Sequence, residues 1–115
     1  MRPDDLNRVR HMLDATREAL GFARERQRKD LDHDRMLLLS LVKALEMIGE
    51  AASKVTVETR ESFPEIPWSE IVAMRNRLIH VYFDINADIV WQTIIDDLPA
   101  LESKLQDLLD KAASQ

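Results

Sequence analysis

The sequence predicts an all-α protein, an antiparallel bundle of four to five helices. Hydrophobic residues make up 45% of the chain and charged residues 32%, but aromatic residues only 5%, whereas sheets are usually richer in aromatic and β-branched runs. Apolar residues recur at spacings of three and four positions, which is the period of an amphipathic helix. Because 115 residues can bury one core but not two, we expect a single domain over residues 1–115.

The first two long helices are predicted from cap residues and apolar spacing. Asp4 or Asp5 is the expected N-cap of helix one, whose inward positions are Leu6, Val9, Leu13, Thr16, Leu20 and Ala23. A second group of caps at residues 30–34 precedes the densest apolar pattern, formed by Leu38, Leu41, Val42, Leu45, Ile48, Gly49, Ala52 and Val55. A helix with so many apolar positions is expected at the centre of the core.

Prolines divide the second half of the chain. Residues 56–67 are expected to form a connector with at most one short turn, because each proline disfavours a helical conformation in the residue before it. Helix three is predicted from near Pro67 to about Phe83. Helix four is predicted to begin after Asn86, with inward positions Ile89, Val90, Ile94, Ile95 and Leu98. Pro99 should kink or split it before the stripe continues at Leu101, Leu105, Leu108 and Ala112.

The charge of the chain limits the partners it can bind. A formal net charge of -5 argues against a general nucleic-acid binder, which gains affinity by neutralising phosphates. Any nucleic-acid contact is therefore expected to be local. One basic group, which we interpret as a solvated helix end, consists of Arg24, Arg26, Arg28 and Lys29.

Composition also excludes several kinds of site. The chain has no cysteine, so it has no disulfides, thiolate zinc sites or cysteine nucleophiles. Its histidines, His11, His33 and His80, are too scattered to show a metal-ligand spacing, and we expect neither metal nor cofactor. The longest apolar stretch, residues 36–42, is far shorter than the roughly 20 residues of a membrane span. A cytoplasmic location without membrane contact is the resulting expectation.

Helix three carries more apolar surface than one contact needs. On a wheel of about 100° per residue its apolar positions spread over about 200°, against the roughly 100° or more of one core contact. These positions are Trp68, Ile71, Val72, Met74, Leu78, Ile79, Val81 and Phe83. We therefore expect a second contact surface, most simply with a second copy of the chain in a homodimer. Arg75 and Tyr82 fall in the middle of this arc, and Asn76 and His80 share its edge.

An arginine in an apolar arc needs compensation for its charge. Burying an unpaired guanidinium is costly, so Arg75 requires either an internal acid or a cleft that a substrate anion can enter. The candidate acids are Glu46, Glu50, Asp84 and Asp88. A histidine at the edge of the same arc, with Asn76 one turn before it, makes His80 a candidate site residue beside Arg75.

Residues 75–82 resemble the signature of HEPN-domain ribonucleases: an arginine, a polar residue, three further positions and a histidine. Arg75, four residues, His80, one residue and Tyr82 resemble the HepT-like toxins, which are encoded beside a minimal nucleotidyltransferase antitoxin. Residues 63–68, 88–91 and 97–99 are similar to the same family. Val81 is a departure from this pattern, because many relatives carry glycine at that position.

The resemblance implies a bundle that dimerises through its motif helices and brings two copies of Arg75 and His80 into one cleft that cuts RNA without metal. His80 would transfer protons, Arg75 would stabilise transition-state charge, and Asn76 would orient the phosphate or the imidazole. Arg77, on the polar side, would contact the RNA backbone. Tyr82 would be modified by the nucleotidyltransferase antitoxin, which silences the cleft.

Two other interpretations remain open from the sequence. The first is a non-catalytic module that binds a nucleotide, or that pairs with a nucleotidyltransferase, because a cleft for a scissile phosphate also suits the phosphates of a mononucleotide. The second is a structural helical adaptor in which Arg75 forms an internal ion pair. RNA cleavage that depends on His80 would distinguish the enzyme from both.

Overall fold

Helices account for most of the described chain. The computed structural model describes residues 1–80 and 84–114, and for Arg75, Ile79 and His80 it describes the backbone alone. The helices of this part are α1 (Pro3–Ala23), α2 (Asp30–His33), α3 (Arg35–Ser53), α4 (Val57–Ser62), α5 (Trp68–Leu78), α6 (Ala87–Gln92) and α7 (Leu98–Ala113), with a π-helical segment (Thr93–Asp97) between α6 and α7. Two short strands, β1 (Ile79–His80) and β2 (Asp84–Ile85), form an antiparallel pair. The prediction of an all-α bundle is confirmed.

The start of α1 differs from the prediction. The helix begins at Pro3 with Arg2 as N-cap, because a proline fits the first helical turn and needs no hydrogen-bond partner there. Asp5 therefore does not cap its own helix. Its carboxylate is buried, with 1% exposure, and accepts hydrogen bonds from the Thr56 amide (3.1 Å), the Thr56 hydroxyl (2.6 Å) and the Thr59 hydroxyl (2.6 Å). Asp5 thus joins α1 to the N-terminus of α4.

The Asp5 contacts make the stability of the fold depend on pH. Burial by itself would raise the pKa of Asp5, but the hydrogen bonds from Thr56 and Thr59 outweigh it and hold the pKa below the ordinary value of 3.8. Because its folded-state pKa is lowered, the ionised Asp5 carboxylate stabilises the fold fully at pH values above the ordinary pKa. This contribution is lost as the pH falls through the folded-state pKa.

We expect Asp5→Asn to lower the free energy of unfolding at pH 7 by about 1–3 kcal/mol, because the amide cannot accept all three hydrogen bonds. Urea denaturation at pH 7 and at pH 3 measures this loss, which should shrink at pH 3. Asp4→Asn is the matched control, since Asp4 is exposed on the same turn. Equal stability of the two variants at pH 7 would show that the cluster contributes nothing.

The predicted central helix is α3. Asp34 is its N-cap and accepts a hydrogen bond from the Leu37 amide at 3.0 Å. Helix α3 packs against α1 and α5. The eight positions predicted to face inward are all buried: Leu38, Leu41, Val42, Leu45, Ile48, Gly49, Ala52 and Val55. A Cβ on Gly49 would lie 3.1 Å from the carbonyl oxygen of Ile71. The missing side chain therefore lets α3 and α5 pack closely, which fixes the position of α5.

Helix three ends earlier than predicted. Instead of continuing to about Phe83, α5 ends at Leu78, and the chain enters a strand pair in which Ile79 lies opposite Ile85 and His80 opposite Asp84. The Asn86 amide closes the pair by donating to the Leu78 carbonyl at 2.8 Å. The β-branched and aromatic residues after Leu78 favour an extended backbone over a helix. Residues 81–83 lie outside the described chain.

The predicted interruption at Pro99 is confirmed. Asn86 caps α6 by accepting from the Ile89 amide, and before Pro99 the helix widens into the π-helical segment, where the Leu98 amide donates to the Thr93 carbonyl five residues back. This widening carries an extra residue per turn and rotates side chains relative to an α-helix. Ile95, which was predicted to face inward, is consequently exposed.

The basic residues after α1 form ion pairs. Arg26 binds Asp34 at 2.7 Å, and Arg28 binds both Asp32 (3.0 Å) and Asp88 (2.6 Å). Because α1 ends at Ala23, these residues lie in the following loop and short helix, so the interpretation as a solvated helix end was wrong for Arg26 and Arg28. None of the helices in the described chain combines the length and apolar character that a membrane crossing requires.

Candidate active site

The candidate site residues lie where α5 meets β1. Arg75, Asn76 and Arg77 are on the last turn of α5, and His80 is on β1. The buried side of α5 consists of Trp68, Ile71, Met74 and Leu78. Tyr82 lies outside the described residues, so the structure leaves its predicted position beside Arg75 and His80 untested.

Part of the predicted second surface of α5 is visible. Val72 is 37% exposed although it belongs to the apolar arc, and Asn76, one turn later, is also exposed. Residues four apart share one side of a helix, so these two side chains border the same outer face. The positions of Val81 and Phe83 in the predicted arc fall in the undescribed segment.

A groove runs beside Asn76. Its floor is α3 and its walls are α1 and α5, and we call it the α1–α3–α5 groove. It has a volume of about 700 Å³ and is lined by Arg8, His11, Lys43, Glu46, Met47, Gly49, Glu50, Ala51, Ser53, Lys54, Val72 and Asn76. Asn76 therefore borders an open space of a size that suits a small ligand or part of a chain.

Arg77 lines a different opening from its neighbour Asn76. It borders a crevice of about 160 Å³ on the other side of α5, together with residues of the π-helical segment and α7. The charged residues of this crevice are Glu70, Arg77, Asp96, Asp97 and Lys104. The structure therefore separates Arg77 from Asn76, and it surrounds Arg77 with more acidic than basic neighbours.

The four acids considered as partners for Arg75 have different surroundings. Asp88 is bound by Arg28, and Glu50 lies 3.3 Å from Lys54. Glu46 is half-buried and lines the α1–α3–α5 groove. Asp84 stands opposite His80 in the strand pair. Two of the four carboxylates are thus engaged by other cations.

The register of the strand pair brings a carboxylate residue next to the candidate histidine. In the backbone register of the antiparallel pair, Asp84 is the residue directly opposite His80. Sequence reasoning missed this juxtaposition because it placed His80 inside a helix. The signal was the run of β-branched and aromatic residues that surrounds His80.

The basic residues of the groove were also missed. Arg8 and His11 come from α1 and Lys43 from α3, and no local spacing links them to Asn76. Only the packing of α1 and α5 on α3 brings them together. Within the described side chains, which exclude that of His80, no group of three histidine or acidic residues is placed to hold a metal ion.

These features define the class of protein: a helical bundle in which a core helix borders an open groove and ends in an arginine-to-histidine segment. The family model described as "Ribonuclease HepT-like" matches residues 12–108. The chain therefore belongs to the HepT-like ribonuclease family, and the resemblance seen in residues 75–82 is confirmed at the level of the family.

Individual relatives agree with this assignment. A protein of Caldanaerobacter subterraneus subsp. tengcongensis named "Putative RNase" is 41% identical over 83 residues, which cover 72% of this chain and 74% of the relative. One of Thermococcus cleftensis named "Probable ribonuclease HepT" is 37% identical over 87 residues, covering 76% and 79%. A "Putative RNase" of Methanocaldococcus jannaschii is 30% identical over 95 residues, covering 83% and 87%. No solved structure matches the chain.

Proposed function

We propose that the protein is a metal-independent endoribonuclease, the toxin of a toxin–antitoxin pair, and that it acts in the cytoplasm. The observation that supports this most is the Arg75, His80 and Tyr82 spacing in a chain of the HepT-like ribonuclease family. Its position is also suitable, because the segment lies at the end of α5 and Asn76 borders the open α1–α3–α5 groove. Arg75, Asn76 and His80 are the proposed catalytic residues.

The proposed reaction needs no group beyond these side chains and the RNA. The ribose 2′-hydroxyl attacks the adjacent phosphorus and gives its proton to the imidazole of one His80, while the bond from phosphorus to the 5′-oxygen breaks and that oxygen takes a proton from the second subunit's copy of the same imidazole. Arg75 binds the phosphate oxygens as charge develops on them. Asn76 orients the phosphate through its amide.

Arg77 has a separate proposed role. It lies on the other side of α5 from Asn76, so it would contact the RNA backbone away from the scissile phosphate. Its acidic neighbours Asp96 and Asp97 would weaken this contact. The expected contribution of Arg77 is therefore to affinity for RNA, and it is smaller than that of an isolated arginine.

A homodimer completes the proposed site, since each chain supplies one His80. The support for a second copy is apolar surface on the outer side of α3, where Met36 is 80% exposed and Leu39 44%. Long apolar side chains this exposed are typical of contact surfaces when they cluster. Met36 and Leu39 are three positions apart and therefore share one side of α3, the helix against which α5 packs.

Light scattering at micromolar concentration is expected to give a mass of twice the 13.3 kDa of one chain. Leu39→Glu should shift this mass towards the monomer, because it places a charge in the apolar contact. Ile95→Glu is the matched control, since Ile95 is an exposed apolar residue of the π-helical segment. A monomeric wild-type protein would contradict the shared-cleft mechanism.

The proposal includes a partner and a control site. A cognate minimal nucleotidyltransferase antitoxin would modify Tyr82 and so silence the cleft.

The second candidate function, a non-catalytic module that binds a nucleotide or a nucleotidyltransferase, is supported by the volume of about 700 Å³ of the α1–α3–α5 groove, which falls within the usual range for small-molecule sites.

RNA cleavage by the purified protein, and its loss in His80→Ala, tests the proposed function. Saturable binding of a nucleotide without any RNA turnover would contradict it and favour the second candidate. If the protein neither cleaves RNA nor binds a nucleotide, the structural adaptor becomes the favoured interpretation.

A further inference from the structure

The α1–α3–α5 groove joins the candidate site to basic residues from distant parts of the chain. Asn76 lines it from α5, Lys43 and Met47 from α3, and Arg8 and His11 from α1. Asn76 is one of the proposed catalytic residues, so the groove borders the proposed site. Arg75 and His80 are near neighbours of Asn76 in sequence.

The charge of this groove is opposite in sign to that of the protein. It contains the cations Arg8, Lys43 and Lys54 and the acids Glu46 and Glu50, so cations are in excess, whereas the whole chain has a net charge of -5. The Lys54 ammonium is paired with Glu50 at 3.3 Å. Arg8 and Lys43 form no ion pair or side-chain hydrogen bond within the described part of the chain, so both are available to a phosphate.

The floor of the groove has a length that suits a short stacked strand. Lys43 and Lys54 are separated by 11 residues of sequence along and just past α3, or roughly 16 Å at the helical rise. At about 3.4 Å between successive nucleotides of a stacked strand, this length corresponds to roughly four to five nucleotides. Between the two lysines, Met47 is 44% exposed and offers an apolar surface to the face of a base.

We propose that the α1–α3–α5 groove binds the single RNA strand that leads to the scissile phosphate, with Lys43 and Arg8 as phosphate contacts and Met47 beneath a base. The proposal rests on the proposed ribonuclease function. It also explains how an acidic protein binds RNA, because the electrostatic attraction is confined to this groove and does not need a basic surface.

Fluorescence anisotropy with a short, labelled single-stranded RNA tests the groove. Its 2′-hydroxyls are methylated, which removes the nucleophile, so that binding is measured without cleavage. Arg8→Gln and Lys43→Gln are each expected to weaken binding roughly two- to fivefold, as expected for exposed ion pairs. Each should also reduce the slope of log affinity against log salt by about 0.7, the value for one phosphate of a single strand.

Two matched controls change the same charges elsewhere. Arg10→Gln removes an exposed arginine of α1 two positions from Arg8, and Lys111→Gln removes an exposed lysine at the end of α7. Both should leave the affinity and the salt slope at the wild-type values. Circular dichroism and light scattering of every variant check that fold and mass are unchanged.

Three outcomes would overturn the proposal. The first is that the salt slopes of the groove variants equal those of the controls. The second is that the groove variants change the mass of the protein, which would make the groove a contact between copies. The third is that adenosine monophosphate binds through Arg8 and Lys43 as tightly as the RNA strand does, which would make the groove a mononucleotide site. Cleavage of unmodified RNA by the wild type is scored separately, so loss of that activity with intact groove binding would contradict only the ribonuclease proposal.

Discussion

Replacing His80 with alanine is expected to lower the rate of RNA cleavage by about 10²- to 10⁴-fold, which is what a positioned general acid or base contributes. Arg75→Ala should cost a similar amount, roughly 10²- to 10³-fold, because a preorganised donor to the developing charge is lost. Arg75→Lys should recover only part of the rate, since an ammonium cannot bind two phosphate oxygens as a planar fork does. All three rates can be measured with a labelled RNA under single-turnover conditions.

His33→Ala is the matched control, because His33 is an exposed histidine at the end of α2. It should cleave RNA at the wild-type rate. The helical circular-dichroism spectrum should be nearly the same for all variants, so that a lost rate is not a lost fold. Wild-type cleavage by His80→Ala would contradict the proton-transfer role.

Attachment of a nucleotide to Tyr82 is expected to abolish RNA cleavage. In the proposed step the Tyr82 oxygen attacks the α-phosphate of a nucleoside triphosphate bound to the nucleotidyltransferase, a P–O bond forms, pyrophosphate leaves, and the phenol proton is released. The attached phosphate would lie two residues from His80 in the chain. Its negative charge would attract Arg75 and repel the RNA phosphate, and the nucleoside would fill the entrance. The competing account of Tyr82 is a packed interface aromatic with one hydrogen bond.

Coexpression with the proposed minimal nucleotidyltransferase antitoxin, followed by intact-mass and peptide mass spectrometry, tests this mechanism. The expected result is one added nucleotide monophosphate on the peptide that contains Tyr82. Tyr82→Phe should remain active in the presence of a catalytically competent partner. An unmodified Tyr82, or full neutralisation of Tyr82→Phe, would leave complex formation as the better account of inhibition.

Local sequence signals were sufficient for the helices and the family. The apolar spacing of α3 identified its inward positions, and Asp34 and Asn86 cap helices where short polar residues precede apolar patterns. Pro99 marked the change of helix geometry. These predictions succeeded because each depends on residues within one or two helical turns, and the same holds for the Arg75-to-Tyr82 spacing that identified the family.

Features that depend on distant residues could not be predicted in this way. Asp5 looked like the cap of its own helix, but its partners are Thr56 and Thr59, more than 50 positions away in sequence. Arg8, Lys43 and Asn76 share a groove only because α1 and α5 both pack on α3. The end of α5 lies between these two cases, because the β-branched and aromatic run after Leu78 favours a strand while its apolar spacing also fits a helix.

The chemical ends of the RNA fragments test the proposed mechanism most directly. Wild-type protein is incubated with RNA in excess chelator, and the products are analysed by mass spectrometry. Attack by the 2′-hydroxyl predicts fragments that end in a 2′,3′-cyclic phosphate and begin with a 5′-hydroxyl, produced as fast with chelator as without it. Fragments with 3′-hydroxyl ends, or cleavage that stops with chelator and returns with magnesium, would contradict the account of Arg75 and His80 given above.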